Sequence, residues 1–557
     1  MIQTKFVSSM EKCFSDSAIG AYPTLKSLTA LRNERVSWQL LYTDDASTPV
    51  QMRRSVNMPI KIEGVPQELI SMRHVDEVPV TIPSFYTETD GNYLRNTPGL
   101  YPDVLTPLQY KGSVSVITHL TQSVWFELDL RDRLPAGKYS IKVSLLDPEG
   151  NVRTEDILQL EILDALLPPQ DMLLTQWFHC DCLANYYHVE AWSEEHWRIV
   201  ENFAATAVRN GINMLLTPIH TPPLDTQIGG ERTTVQLVDV TVENGKYSFG
   251  FEKLDRWIDM CDRVGIKYFE IAHLFTQWGA EHAPKIMATV DGEYKRIFGW
   301  ETEAAGEEYT AYLRAFLPAF LSHMQARGDD KRCYFHISDE PNKLQLESYR
   351  AAKNVVADIL KDYPIMDALS NYEYYQQGLV KIPIPSSDHI DPFIERDVSG
   401  LWTYYCCSQG VKVSNRFIAM PLWRTRSIGL QLYKFNIVGF LQWGYNFYNN
   451  LRSTDFINPY LDTSSGYTFP AGDAFSVYPA YDGSAQESIR ILSFYEALQD
   501  VRAMKLAEQY YGKEKVVAEL EQLFGEEIRF DRCAHEAATL IRIRERINEM
   551  IKEAIAK

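Results

Sequence analysis

At Leu167-Pro168-Pro169 the chain changes character, and that change constrains the fold more than any other feature of the sequence. Ahead of it lie only short strand-and-turn segments, at residues 36–42, 60–62, 78–82, 114–117, 124–130, 138–146 and 157–163, the last two joined by the turn-forming run Asp147-Pro148-Glu149-Gly150-Asn151. This pattern predicts a β-sandwich over residues 1–168. Beyond the stiff diproline, short apolar runs alternate with helical stretches, which is the signature of parallel β/α units. Eight strands are predicted, at 172–177, 213–217, 267–272, 333–337, 365–370, 400–405, 416–421 and 437–443, with helices at 194–210, 251–264, 308–327, 343–360 and 425–435. Eight such units close a (β/α)8 barrel of ordinary size, assigned here to residues 169–485. The Glu-, Lys-, Arg- and Ala-rich remainder, 486–557, is a helical extension expected to pack on the barrel through one face and to present its charges to solvent, with contact between copies, a homo-oligomer, as the alternative. A doubly wound sheet is the competing topology, but neither GxGxxG nor GxxxxGK[ST] is present.

Composition narrows the function. The chain has 557 residues, 45% hydrophobic, with 55 basic against 74 acidic side chains and a formal charge of −19, so nucleic acid and anionic membrane are disfavoured as partners. The eight cysteines (13, 180, 182, 261, 333, 406, 407 and 533) do not make the framework of a small disulfide-rich domain. The start of the sequence lacks the basic region and apolar core of a secretory signal, and the expected location is cytoplasmic. His179-Cys180-Asp181-Cys182 invites a zinc reading, yet no second pair at standard spacing completes a four-ligand set, so neither metal nor cofactor is expected. Adjacent Cys406 and Cys407, if on a strand, point to opposite faces as small core residues.

In a parallel barrel the residues just past each strand share one mouth. Read in order they are polar or aromatic at every strand: Trp177 and His179; His220; His273, Gln277 and Trp278; His336, Asp339 and Glu340; Asn371, Tyr372 and Glu373; Trp402, Tyr404 and Tyr405; Trp423 and Arg424; Trp443, Tyr445, Asn446 and Tyr448. Polar groups converging among flat rings suit a sugar, whose C–H face packs on an aromatic.

The sharpest element is Cys333-Tyr334-Phe335-His336-Ile337-Ser338-Asp339-Glu340-Pro341, an apolar strand ending in two adjacent carboxylates and a helix-starting proline. Neighbouring carboxylates in a partly dry cleft repel, which raises the proton affinity of one and gives an acid beside an anion at neutral pH. That is the chemistry of glycosidic bond cleavage. An Asp-Glu-Pro triplet is also an ordinary acidic helix start.

With Met420-Pro421-Leu422-Trp423-Arg424, Gly439-Phe440-Leu441-Gln442-Trp443-Gly444-Tyr445-Asn446 and Gly472-Asp473-Ala474-Phe475-Ser476-Val477-Tyr478-Pro479, this segment resembles glycoside hydrolase family 123 over roughly residues 171–510. The resemblance implies a retaining β-N-acetylgalactosaminidase that acts on glycan or glycolipid ends by substrate assistance. Asp339 would hold the acetamido N–H, and Glu340 would serve as general acid and then base. From strand position alone, Tyr372 or Tyr445 would hold the acetamido carbonyl and Trp402 or Trp443 would floor the sugar, and Asp473 joins the candidate substrate-binding residues. The alternatives are a glycosidase with a separate nucleophile, Glu373 or Asp473, and a non-catalytic sugar-binding barrel.

Overall fold

The computed structural model describes residues 1–45, 55–85, 89–108 and 112–556. Two five-stranded sheets form the N-terminal part. One runs in the order Ile2–Ser8, Arg35–Asp44, Gln122–Asp129, Ile70–Val80, Gly99–Pro107; the other in the order Ser27–Leu31, Val152–Leu163, Gly137–Leu146, Ser55–Glu63, Ser113–Ile117. Alternate residues of both enter a shared core in which Trp38 stacks on Phe126, centroids 5.4 Å apart. Each fully buried large apolar side chain there is worth roughly 1.5–3 kcal/mol over its exposed state. The predicted hairpin is present: Gly150, at φ 88, closes the turn with its N–H on the Asp147 carbonyl.

The second part carries eight short parallel strands: β1 (Leu173–Gln176), β2 (Met214–Thr217), β3 (Tyr268–Ile271), β4 (Cys333–Phe335), β5 (Met366–Ala368), β6 (Ile382–Ile384), β7 (Trp402–Tyr404) and β8 (Gly439–Gln442). Six form one sheet in the order β4-β3-β2-β1-β8-β7. β5 pairs in parallel with β6, and single bridges, Phe335 to Ile365 and Ser386 to Tyr404, tie this pair to β4 and β7. The helices fall close to their predicted places, as with Glu194–Arg209, where Ser193 caps the first turn by accepting the His196 N–H and Glu194 and Glu195 face the positive helix end.

The structure corrects the strand assignment in one place. Residues 416–421 are not a strand: the Arg416 guanidinium is buried and donates to Gln176, Gln442 and the carbonyls of Gly444 and Asp473, while the Ile418 N–H reaches the Ala471 carbonyl. The sixth strand is Ile382–Ile384 instead, a short segment interrupted by Pro383 and followed by Pro385. Pro383 is tolerated because Ile382 and Ile384 bond β5, which turns the missing N–H toward β7, and β7 pairs only from Pro385 onward.

A further four-stranded sheet was not expected. Its hairpins, Asp239–Glu243 with Lys246–Gly250 and Ile286–Val290 with Glu293–Phe298, turn on Asn244-Gly245 and Asp291-Gly292, all four at positive φ, as two-residue hairpin turns require. The C-terminal extension is helical over Ile489–Tyr511, Lys513–Phe524 and Ala537–Ile555. Most of its charges lie toward solvent as expected, but Glu487, Arg490, Glu496, Asp500 and Arg544 are buried, and some pair with the sandwich: Arg490 with Asp103 at 2.7 Å, and Arg544 with Glu34 at 2.6 Å.

Candidate active site

The C-terminal ends of seven of the eight strands converge on one open pocket of about 220 Å³. β1 supplies Trp177 and His179, the loop after β2 Leu224 and Asp225, the loop after β3 Gln277 and Trp278, β4 Asp339 and Glu340, β5 Ala368, β7 Tyr404, Cys406 and Cys407, and β8 with its following loop Leu441, Trp443, Phe447, Leu451 and Phe469.

The two acids are held by neighbouring strand ends. The Trp278 N–H donates to the Asp339 carbonyl at 2.9 Å, and the Glu340 N–H donates to the Ala368 carbonyl at 3.0 Å. Glu340 lies at φ 43, a left-handed conformation that costs a non-glycine residue roughly 1–2 kcal/mol and that collects at functional sites. Its carboxylate accepts a short hydrogen bond from the Tyr404 hydroxyl. Asp339 is half-buried, and no donor among the described residues reaches its carboxyl. Loss of hydration in the pocket, then the charge of Glu340, hold Asp339 well above the usual carboxylate range. Glu340 keeps an exposed edge, but the pocket wall strips enough water from its carboxyl to raise its pKa as well, against the Tyr404 hydrogen bond that lowers it.

Around the acids the polar groups are locked. His179 donates from Nε2 to the Trp443 carbonyl at 3.0 Å and accepts at Nδ1 from Arg232, itself paired with buried Asp181; burial, then the nearby guanidinium, drive the imidazole down to about 3, so it is neutral. Trp177 donates its indole N–H to Glu270 at 2.7 Å, and Trp443 donates to Asp473 at 2.9 Å. Gln277, 4% exposed, donates to the Thr226 carbonyl at 3.0 Å, which fixes its amide orientation and leaves Oε1 buried without a partner among the described residues.

Beneath the pocket lies a fully buried ion network. His336 donates to Glu270 at 2.7 Å and to Asp367 at 3.1 Å; Glu270 also accepts from Thr175 and Trp177, and Asp367 from Tyr349 and the Ile337 N–H. Burial alone would push His336 down, but the two carboxylates carry it up to about 9, so it is an imidazolium. His273, His336 and Asp367 bring ligand atoms within 4.8 Å of one another, yet both His336 nitrogens are already given to carboxylates.

Of the residues proposed from sequence, Trp177, His179, Gln277, Trp278, Asp339, Glu340, Tyr404 and Trp443 meet at the pocket wall. The others lie elsewhere. His273 and His336 sit one layer below it. Trp402 is buried among the strands against Gly439, where an added Cβ would stand 2.1 Å from the indole. Tyr445 is buried with its hydroxyl on the Phe203 carbonyl, and Asn446 grips the backbone of His179 from both sides. Asp473 is behind Trp443, where burial raises it to about 7. Asn371 caps the helix Tyr372–Gln376 and Tyr372 packs on Phe393. Arg424 is clamped to Asp90 and the Asn92 carbonyl, and Trp423 donates to the Asn92 side chain. Asp225, Phe447, Leu451 and Phe469, all on loops, were not anticipated, and Cys406 and Cys407 do not point apart, because they lie in a turn rather than on the strand.

The sequence model of the glycoside hydrolase 123 catalytic domain matches residues 177–507, which takes in every residue lining the pocket, while β1 itself lies just ahead of the match. The chain belongs to glycoside hydrolase family 123. No curated protein matches it. Among solved structures, a family 123 glycoside hydrolase from Clostridium perfringens, analysed for glycolipid glycan hydrolysis, superimposes over 100% of both chains with a TM-score of 0.76 at 15% identity, so the two share a fold. An endo-β-1,4-mannanase from Thermotoga petrophila, at 12% identity over 61% of this chain and 78% of its own, reaches only 0.33. This family 123 chain is therefore a glycosidase with an Asp-Glu pair in its pocket. Among its described residues no helix is long and apolar enough to cross a membrane.

Proposed function

We propose that this enzyme releases terminal β-linked N-acetylgalactosamine, or a related N-acetylhexosamine, from a glycan or glycolipid with retention, by substrate assistance through an oxazolinium intermediate. The observation that carries the reading is that Asp339 and Glu340 are consecutive residues on one pocket wall. A retaining enzyme with its own nucleophile spaces its carboxyls about 5 Å apart across the bond being broken, and two consecutive residues leaving one strand end need not straddle that bond. With the substrate's acetamido oxygen as nucleophile, both acids work from the same side. Asp339 accepts the acetamido N–H and stabilises the positive charge that develops, and Glu340 protonates the leaving oxygen and then deprotonates water.

The electrostatics fit a shared proton. In the free pocket the proton favours Asp339, which has no donor, over Glu340, which has Tyr404. An acetamido N–H arriving at Asp339 favours its anion and passes the proton to Glu340, where it is needed. Trp177, Trp278 and Trp443 line the pocket and offer flat surfaces to the sugar ring. The bridges that join β5 and β6 to the sheet edges support a closed (β/α)8 barrel, and the glycolipid reading draws on the Clostridium perfringens relative.

One observation favours a second reading. Asp225 lines the same pocket, whereas Glu373 is outside it near Lys343 and Asp473 is spent on Trp443. Against Asp225 as nucleophile, burial raises its pKa, which disfavours the anion that attack requires.

The test is hydrolysis of matched p-nitrophenyl β-GalNAc, β-GlcNAc and β-galactoside by the wild type, Glu340→Gln and Asp339→Asn. Turnover confined to the acetamido sugars, lost in both variants and blocked by an oxazoline-mimicking thiazoline, is expected. Equal turnover of the galactoside, or azide rescue of Asp225→Ala to a glycosyl azide, would overturn substrate assistance.

A further inference from the structure

Cys406 and Cys407 follow Tyr404, whose hydroxyl holds Glu340, and both line the pocket. The reason they share it is local. β7 ends at Tyr404, and the chain then turns, with the Gln409 N–H on the Cys406 carbonyl at 3.2 Å and the Cys406 N–H on the Gln409 side chain at 2.8 Å. Consecutive side chains of a strand diverge, whereas those of a turn need not. Both thiols are half-buried, and the other six cysteines are buried, so this pair holds the accessible thiols of the molecule.

The pair is poorly suited to the usual fates of thiols. A hydrogen bond with Cys407 and burial keep Cys406 well above the ordinary thiol range, so it is a thiol rather than a nucleophilic thiolate. A disulfide between neighbours is strained, because adjacent Cα atoms stand about 3.8 Å apart across a trans peptide and an unstrained bridge needs roughly 4.4–6.8 Å. Inserting one large, soft atom between the sulfurs lengthens the bridge and removes that strain. Soft thiolate ligands select soft ions.

We propose that Cys406 and Cys407 form a bidentate site for a soft, thiophilic trivalent arsenical, and that its occupation closes the pocket beside Tyr404 and Glu340. The exchange needs no oxidant. Two As–S bonds form, the arsenic–oxygen bond of an arsenoso group breaks, and both thiol protons leave with that oxygen as one water. The group carried on arsenic then projects into the space the sugar would occupy. The closure half of this inference rests on the pocket reading above; the binding half does not.

The experiment treats the reduced full-length protein with phenylarsine oxide and reads adduct stoichiometry by intact mass, accessible thiols before and after, and the labelled peptide. One arsenical per chain, loss of both accessible thiols, and a label on the peptide holding 406 and 407 are expected. Release should follow addition of 2,3-dimercaptopropanol, but not of 2-mercaptoethanol at equal thiol concentration. Cys406→Ser and Cys407→Ser should each lose the stable adduct, and hydrolysis by the treated wild type should fall at least tenfold against its untreated self. No adduct, a label elsewhere, or the same stoichiometry in both variants would overturn the site; a vicinal disulfide in the untreated protein would do so too. An adduct with undiminished turnover would overturn the closure. Should the untreated protein hydrolyse no acetamido sugar, the proposed function fails while the adduct count still decides this inference.

Discussion

His336 and His273 lie face to face beneath the pocket, ring centroids 4.1 Å apart and 19° from parallel, yet they hold protons oppositely. His336 is clamped between Glu270 and Asp367 and stays charged up to about pH 9. His273 has no hydrogen-bond partner among the described residues on either ring nitrogen, and burial, then the charges of His336 and His220, drive it well below the ordinary histidine range. The pair thus places one fixed positive charge between two buried carboxylates directly under Asp339, which that charge pulls downward against its burial. Through Glu270 the same network fixes the Trp177 indole at the pocket wall.

This arrangement makes stability pH-dependent on the alkaline side. The folded-state pKa of His336, about 9, exceeds the unfolded value near 6.5, so its contribution is full below pH 6.5 and disappears as pH rises through 9. Each tenfold change in proton affinity is worth roughly 1.4 kcal/mol, so a loss of a few kcal/mol is expected across that window. Urea midpoints measured from pH 6 to 10 should fall across it, and a flat profile would contradict the imidazolium.

Replacing His336 with Gln removes the cation and leaves Glu270 and Asp367 facing each other without compensation. Breaking one side of a buried pair costs about 3–5 kcal/mol. The variant should unfold at lower urea, and its remaining stability should no longer fall between pH 6.5 and 9. That second readout separates loss of the charge from simple loss of packing.

The sequence made the strand ends legible, but not the depth of each side chain below the rim. Trp402 and Tyr404 leave β7 on the same face, and only Tyr404 reaches the pocket, because Trp402 stands two residues, roughly 6.5 Å, deeper. His336 precedes Asp339 by three residues and is buried for the same reason. The apolar run Phe417-Ile418-Ala419-Met420 imitates a strand, while its true role is to carry Arg416 under the sheet; nothing in its pattern tells the two apart. The Asn244-Gly245 and Asp291-Gly292 turns were a readable hairpin signal. Asp225, Phe447 and Phe469 come from long loops whose return into the pocket is a tertiary event with no local pattern.

Tyr404→Phe tests the only side-chain hydrogen bond to Glu340 among the described residues. The phenol stabilises the carboxylate, so without it the acids titrate higher. Because the two acids interact, the change belongs to the pair. The alkaline limb of the kcat/KM profile should move upward, and the rate at neutral pH should drop about tenfold or more, since an ionic hydrogen bond is worth roughly 1.5–3 kcal/mol. An unmoved limb would mean that Tyr404 does not set the proton affinity of Glu340.

Gln277 is expected to read a sugar hydroxyl. Its amide N–H is committed to the Thr226 carbonyl, and Oε1, on a side chain that lines the pocket, is a buried acceptor with no donor among the described residues. A buried acceptor without a donor costs about 1–3 kcal/mol, and a ligand hydroxyl recovers that energy. Sites built this way discriminate strongly against substrates that lack the hydroxyl. Gln277→Met keeps the side-chain length and removes both polar atoms. It should lower kcat/KM on the best substrate about ten- to a hundredfold, with the urea midpoint nearly unchanged. On a panel of monodeoxy sugars, the variant and the wild type should converge for the one analogue that lacks the contacted hydroxyl. Equal losses on every analogue would instead make Gln277 a wall residue that shapes the loop through Thr226.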